Sequence, residues 1–377
     1  MIMRKVSLVL LVAAMVIFIF GKNYCMALDV KFDYSPSKDV QQNLLSTVNL
    51  HSGYSVLAYG VEKVFDQNKA WQRGAEIIVE SQLAIGLSVL GHEGGHDYYA
   101  DKNEVVNRSV SWSFYSGSVS YDSSYSNLTF GQKSRLNAAG IIWNNRAAAE
   151  TLADSIGEQV VISEALWYSA NKINLPGYIG KASAPDQSES YGLSKNDIES
   201  WIRNVAGNDF GKMESLYSDL KVGAIWQGLS LIAPAGASLY YLFTGNIIQV
   251  PKLWFDTETE LTTAGVMYAL TGFLKHQGVT YNLRAGYGKN RIEEKTMSQI
   301  EAEIKNIPLP IWNLKAKVKA GYADTLSASR SIGFGLEKSF GQVAVGADVN
   351  RYDGYHRSNP KASEGLTEIS THLKFRF

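Results

Sequence analysis

Residues 312–322 read Trp312-Asn313-Leu314-Lys315-Ala316-Lys317-Val318-Lys319-Ala320-Gly321-Tyr322. Apolar side chains take every second place and lysines fill most of the others. A period of two sends the two sets to opposite faces of a β-strand. The same alternation recurs on both sides of this stretch. It carries Tyr281, Leu283, Ala285 and Tyr287, then Ile332, Phe334 and Leu336, then Val343, Val345, Ala347 and Val349, and finally Ile369, Thr371, Leu373, Phe375 and Phe377. With 253–261 and 263–275 these make about seven strands, and the polar stretch from Glu293 to Asn306 reads as a short helix among them. Two arrangements suit such strands. One is an outer-membrane barrel with its apolar face in lipid, its Lys and Arg face toward the lumen, and Trp312, Tyr322, Tyr281 and Tyr287 at the interfaces. The other is a soluble antiparallel sheet with one wet face. The barrel needs at least one more strand, because the smallest common bacterial barrels have about eight.

Before residue 250 the texture is helical. Trp71 to Gly91 is apolar nearly all round and carries no charge from Ser81 onward, which predicts a buried helix. A second long helical stretch runs from Gln132 to Asn171. A third spans Lys195 to Val205, with Ser194 as a cap and Asp197 and Glu199 near the end that favours negative charge. Residues 108–121 read as a hairpin with Val110, Trp112 and Phe114 on one side. Val222 to Pro251 has no charged residue and is long enough to span a bilayer; Gln227, Pro234 and several Gly and Ser residues favour a buried helix or helical hairpin instead. The expected fold class is therefore α+β. Residues 1–27 are expected to be an export signal, 28–250 a mainly helical domain and 251–377 an antiparallel strand domain.

The export signal is read from Arg4 and Lys5, the uncharged run Val6 to Gly21, the polar break at Lys22-Asn23, and Cys25-Met26-Ala27 as a cleavage site. An uncleaved membrane anchor is the alternative. Cys25 is the single cysteine, so cleavage after Ala27 leaves none, and any metal must be held by His and carboxylates. Lys+Arg and Asp+Glu balance at 36 each, without the basic patch a nucleic-acid partner requires.

The chemistry sits in Gly91-His92-Glu93-Gly94-Gly95-His96. On a helix, His92 and His96 project from one face and reach a single cation, while Glu93 lies beside them, placed to work on a water. Gly94 and Gly95 each cost a helix about 1 kcal/mol relative to Ala, so a close-packing reason is expected for them. A zinc site that hydrolyses needs a third protein ligand, and no histidine follows at the short spacing of the extended HExxHxxGxxH pattern. Glu150 and Asp154, with Glu158 beyond, stack on one helix face 54 residues after His96 (150 − 96). Like charges so placed need a cation, either zinc or the nearby Arg146.

HExxH on one helix followed by Glu150-Thr151-Leu152-Ala153-Asp154 on a later one resembles the M48-like gluzincin zinc metallopeptidases, over residues 70–160. The resemblance implies His92, His96 and Glu150 as zinc ligands, Glu93 as general base, and Asp154 as the carboxylate that orients a ligating histidine. No counterpart of that family's transition-state-stabilising residue stands out, and the strand-rich last third lies outside its pattern. The function expected is an exported zinc metalloendopeptidase of the bacterial periplasm or outer membrane, acting on peptide or protein substrates of the envelope, with membrane association. The hairpin at 108–121 is the expected substrate edge. The alternatives are a barrel or envelope scaffold with an inactive or structural metal motif, and, less well supported, a zinc hydrolase of lipid or glycan acyl groups.

Overall fold

The computed structural model describes residues 29–36, 38–181, 196–312, 314–354, 359, 361 and 365–376. The export-signal stretch, Cys25-Met26-Ala27 included, lies outside them. The described residues form an α+β fold in which a nine-stranded antiparallel sheet faces a helical layer. Along the chain come β1 (Asp29–Tyr34), α1 (Val40–Leu44), α2 (Thr47–Glu62), α3 (Ala70–Lys102), the hairpin β2 (Ser109–Ser113) and β3 (Ser116–Ser120), and α4 (Phe130–Ser155). Then follow β4 (Gln159–Val160), α5 (Ile162–Lys172), α6 (Asn174–Lys181), α7 (Asp197–Ala206), α8 (Phe210–Gly228), α9 (Ile232–Thr244) and β5 (Ile248–Gln249). The sheet strands close the chain as β6 (Leu253–Leu261), β7 (Val266–His276), β8 (Val279–Asn290), β9 (Lys295–Pro308), β10 (Leu314–Asp324), β11 (Ala328–Phe340), β12 (Val343–Asp353) and β13 (Leu366–Arg376).

Strands β6 to β13 form a simple meander, and β1 adds beyond β13, pairing Phe32 with Leu373 and Tyr34 with Thr371. A strand from the segment assigned to the helical domain thus completes the C-terminal sheet. The edges are β1 and β6; α2 packs on β1, and α4 and α8 pack on β6, so helices cover the gap between the edges. The sheet's polarity is the reverse of a soluble protein's. Along β11, Ile332, Phe334 and Leu336 face outward and exposed, while Ser331, Gly333 and Gly335 face inward and buried. The inner face carries ion pairs such as Arg284 with Glu258 and Glu260 (3.3 and 2.9 Å) and Lys317 with Asp348 (3.0 Å). It encloses, with the helices, a cavity of about 1110 Å³.

Three expectations are corrected. The stretch 293–306 is not a helix but mostly β9: Met297, Gln299 and Glu301 turn inward against Ser298, Ile300 and Ala302 outward. Its charged residues satisfy a strand because the inner face is ionic, with Glu301 3.9 Å from Lys319 of the neighbouring strand. The helix from 132 to 171 is two helices, interrupted at Ile156–Val161, where Gly157 takes φ +75° and the chain pairs β4 with β5. The uncharged segment 222–251 is not a buried hairpin: α8, a 3-10 turn and α9 run on, with Ile225, Ile232 and Phe243 about 70% exposed (71, 69 and 75%).

Helix packing brings the HEGGH segment against α1 and α4. A Cβ on Gly94 would sit 2.7 Å from Cβ of Leu45, and one on Gly95 2.8 Å from the Ala139 carbonyl oxygen. The two glycines thus trade helix propensity for close approach, Gly94 of the end of α1 and Gly95 of α4. Gly91 serves the same contact, because its missing side chain makes room for the Trp143 ring.

Candidate metal centre

Helix α3 carries a ridge of every fourth residue, Glu76, Glu80, Ala84, Ser88, His92 and His96, and all six are buried. At its C-terminal end the two imidazoles face α4 and α7. His92 Nδ1 lies 2.8 Å from Oδ1 of Asn144, whose Nδ2 donates to the Ser88 carbonyl and hydroxyl and to Asn171 Oδ1. That commitment leaves Asn144 Oδ1 as an acceptor, so His92 Nδ1 is the donor. His96 Nδ1 donates to the Leu136 carbonyl at 2.7 Å. In both neutral rings the proton therefore sits on Nδ1, and Nε2 presents its lone pair.

Those two Nε2 atoms lie 3.2 Å apart, and Oδ2 of Asp197 lies 3.1 Å from each. Three lone-pair atoms do not converge in a buried place without a positive charge between them. Burial opposes a charge on His96, yet Asp197 overcomes it and raises that imidazole to about 9, so in the metal-free chain a proton answers the same demand. The donors also fit zinc: ligand atoms of a tetrahedral site with bonds of about 2.0–2.1 Å stand about 3.3 Å from one another. His92 and His96 are 2% and 3% exposed, whereas the Asp197 side chain is 32% exposed, so the group opens to solvent on one side. Gly140 on α4 is required here, since a Cβ would meet His92 Nε2 at 2.3 Å.

Asp197 is the first residue of α7, placed by the Asn196 cap, whose Oδ1 accepts from the Glu199 amide (2.9 Å), and by Ile198, Trp201 and Ile202 buried in the core shared with α4. Sequence reasoning took its charge for ordinary helix-end electrostatics, and no local signal marks it as a ligand. Glu150 does not join the histidines. Its Oε2 accepts from Thr47 Oγ1 at 2.6 Å, Oε1 stands 3.8 Å from Arg146, and the residue lines the large cavity. The reason is helical phase: six residues past Asn144, it lies about one and two-thirds turns and about 9 Å further on. Asp154, one turn beyond, is exposed and lines the same cavity. The imidazole-orienting role expected of Asp154 is filled by Asn144 and the Leu136 carbonyl.

Glu93 is buried beside the histidines, and burial raises its carboxyl above the usual range. Strand β3 fixes its position: a Cβ on Gly117 would lie 2.3 Å from Glu93 Cγ. The hairpin is clamped to α3 through β2, where Trp112 Nε1 donates to the Gly86 carbonyl at 2.8 Å and the Phe114 ring covers Gly86. The edge of β3 away from β2 has no partner strand among the described residues. Tyr178 stacks on His92 at 5.3 Å and puts its hydroxyl 3.1 Å from Nε2. Burial, then Asp197 and Glu93, keep the Tyr178 phenol protonated, so it is a donor facing the site.

Among the described residues a second set, Glu62, Glu76 and Glu80, brings carboxylate oxygens within 4.8 Å of one another. Comparison of the chain with protein-family models, with curated proteins and with solved structures gave no match, so the reading of this centre rests on its own geometry.

Proposed function

We propose that the protein is a zinc-dependent peptidase whose metal is held by His92, His96 and Asp197. The observation that carries this reading is the convergence of two Nδ1-anchored imidazoles on one carboxylate oxygen, with a buried Glu beside them. Zinc in such a site supplies an acidified water and polarises the scissile carbonyl. Glu93, held at Gly117, takes the proton from the water as it attacks the carbonyl carbon, then gives it to the amide nitrogen as the C–N bond breaks. The Tyr178 hydroxyl donates to the oxygen on which negative charge develops. The free edge of β3 aligns an extended peptide by strand addition. On this reading the zinc site expected from HEGGH takes an aspartate in third place, from a helix well beyond the expected one.

We further propose that this peptidase sits in a membrane. Eight strands, β6 to β13, have 9 to 14 residues, the length that crosses a hydrocarbon core when tilted. Their outer face is apolar and their inner face ionic. Tyr281, Trp312 and Phe340 lie at one rim, and Tyr287 and Tyr322 toward the other, as interfacial aromatics do. An outer-membrane site supports envelope peptides or proteins as substrates.

The test is metal content and hydrolysis of a casein-derived peptide library by purified protein. Wild type is expected to bind one zinc and cleave. His92→Ala and Asp197→Ala lose zinc, Glu150→Ala keeps it, and Glu93→Gln keeps zinc without cleaving. Zinc retained by Asp197→Ala, or cleavage surviving in Glu93→Gln, overturns the reading.

A further inference from the structure

Glu80 and Glu76 lie about three and four turns before His92 on α3, Glu80 about 18 Å from it along the helix. Both are 0% exposed. One carboxylate of this pair is partly answered: Glu76 Oε2 accepts from the Tyr241 hydroxyl at 2.8 Å. The rest is not. Glu76 Oε1 and both oxygens of Glu80 are buried without any hydrogen-bond partner. The third member, Glu62, ends α2 and offers an oxygen within 4.8 Å of the other two. Unanswered acceptors in such a place cost about 1–3 kcal/mol each, and more if charged.

The nearby cations answer the cluster only in part: Arg73 lowers Glu76 and Lys63 lowers Glu62, each by less than burial raises it. The Arg73 guanidinium donates to the carbonyls of Gln67, Leu242 and Phe243, and Lys63 lies over the Tyr59 ring. Glu164 adds further negative charge from α5. Glu62 also lines the large cavity, which gives the cluster a route to water.

We propose that Glu62, Glu76 and Glu80 form a second metal site, one that takes a hard divalent cation of the Mg²⁺, Mn²⁺ or Ca²⁺ type and ties α2 to α3. Three carboxylates with no nitrogen or sulfur donor match such cations, whereas the imidazole pair further along the helix suits zinc. The unpartnered Glu80 oxygens are the ligands the cation satisfies, Glu76 bridges to it through its free oxygen while Tyr241 holds the other, and Glu62 closes the set from the cavity side. Without the cation the site keeps protons instead: burial, then Glu62 and Glu76, push Glu80 up to about 9, and burial with Glu76 pushes Glu62 up to about 7. Cation binding therefore releases protons and strengthens as pH rises.

The experiment titrates zinc-loaded full-length protein with Mn²⁺, followed by electron paramagnetic resonance. Calorimetry in two buffers of different ionisation enthalpy, with Ca²⁺ as a parallel probe, reads proton release. One saturable Mn²⁺ is expected, with proton release and a raised melting temperature. Glu80→Gln weakens binding on the order of a hundredfold, and His92→Ala leaves it unchanged. Glu62→Gln, at the rim, is the second variant should Glu80→Gln fail to fold, and it too weakens binding. Absence of saturable Mn²⁺ binding by wild type at pH 8, or binding undiminished in whichever of these variants folds, overturns the proposal. So does binding lost in His92→Ala.

Discussion

Asn144 shows how much a single side chain contributes to the candidate centre. Its amide is held by Ser88 and Asn171 and in turn fixes the proton of His92 on Nδ1. Replacing it with Leu removes that anchor while filling similar space. Zinc affinity is expected to fall about 10- to 100-fold, measured by competition with a chromophoric chelator. Unchanged affinity would mean that the hydrogen bond does not orient the ring. Gly117 tests the other arm. An added Cβ must displace Glu93, and a shift of about 1 Å in a catalytic group costs on the order of a hundredfold in rate. Gly117→Ala is expected to lower kcat by that order while zinc content stays at the wild-type level. Equal loss of metal and activity would instead show a site that fails as a whole.

At the scale of elements, legibility followed how local the cause was. The helix bearing HEGGH, the hairpin after it and most strands were readable because each follows from its own period. Gly94 and Gly95 announced close packing before the partner was known. What stayed hidden depends on distant segments. Asp197 is 101 residues from His96 (197 − 96), in a position where an acidic residue is ordinary. β9 looked helical because Glu, Lys and Gln are good helix formers, and only an ionic inner face makes them suitable for a strand. β1 was missed because its partner lies at the far end of the chain.

One contact between elements gives a pH dependence. His51 of α2 meets Glu164 of α5 at 2.8 Å. Burial lowers this imidazole, but Glu164 outweighs burial, with Asp154 and Glu150 adding to it, and the net shift is upward. A histidine raised on folding contributes stability that is complete below its unfolded value, about 6.5. That contribution is lost as pH climbs through the folded value. With both side chains about a quarter exposed, the effect is about 1 kcal/mol or less. The melting temperature of wild type is expected to fall on the order of 2 °C more than that of His51→Gln between pH 6 and 8. Parallel profiles would remove His51 from the account.

For the whole molecule, the decisive property is the sheet's reversed polarity. A soluble protein gains most of its stability by hiding apolar surface, yet here Leu283, Ile332 and Phe334 stand half-exposed or more on one continuous face while Arg284, Glu301 and Asp348 are buried on the other. The same residues become consistent when lipid is the outer solvent. Outward apolar side chains then cost nothing, and the inner charges pair around the cavity between the sheet and the helices that carry the candidate metal centre. In this arrangement the membrane stabilises the sheet, and the helical layer supplies what a meander with free edges at β1 and β6 lacks. The prediction is asymmetric between faces. Phe334→Lys, in the middle of β11, should cost about 2–4 kcal/mol of folding into lipid, as a basic residue does near a bilayer midplane. Lys319→Ala, on the inner face, should be tolerated. Folding of urea-unfolded protein into phosphatidylcholine vesicles, followed by tryptophan fluorescence and protease protection, reads both. If the full chain stays monomeric in detergent-free buffer and ignores the vesicles, or if Phe334→Lys inserts as well as wild type, the sheet does not face lipid.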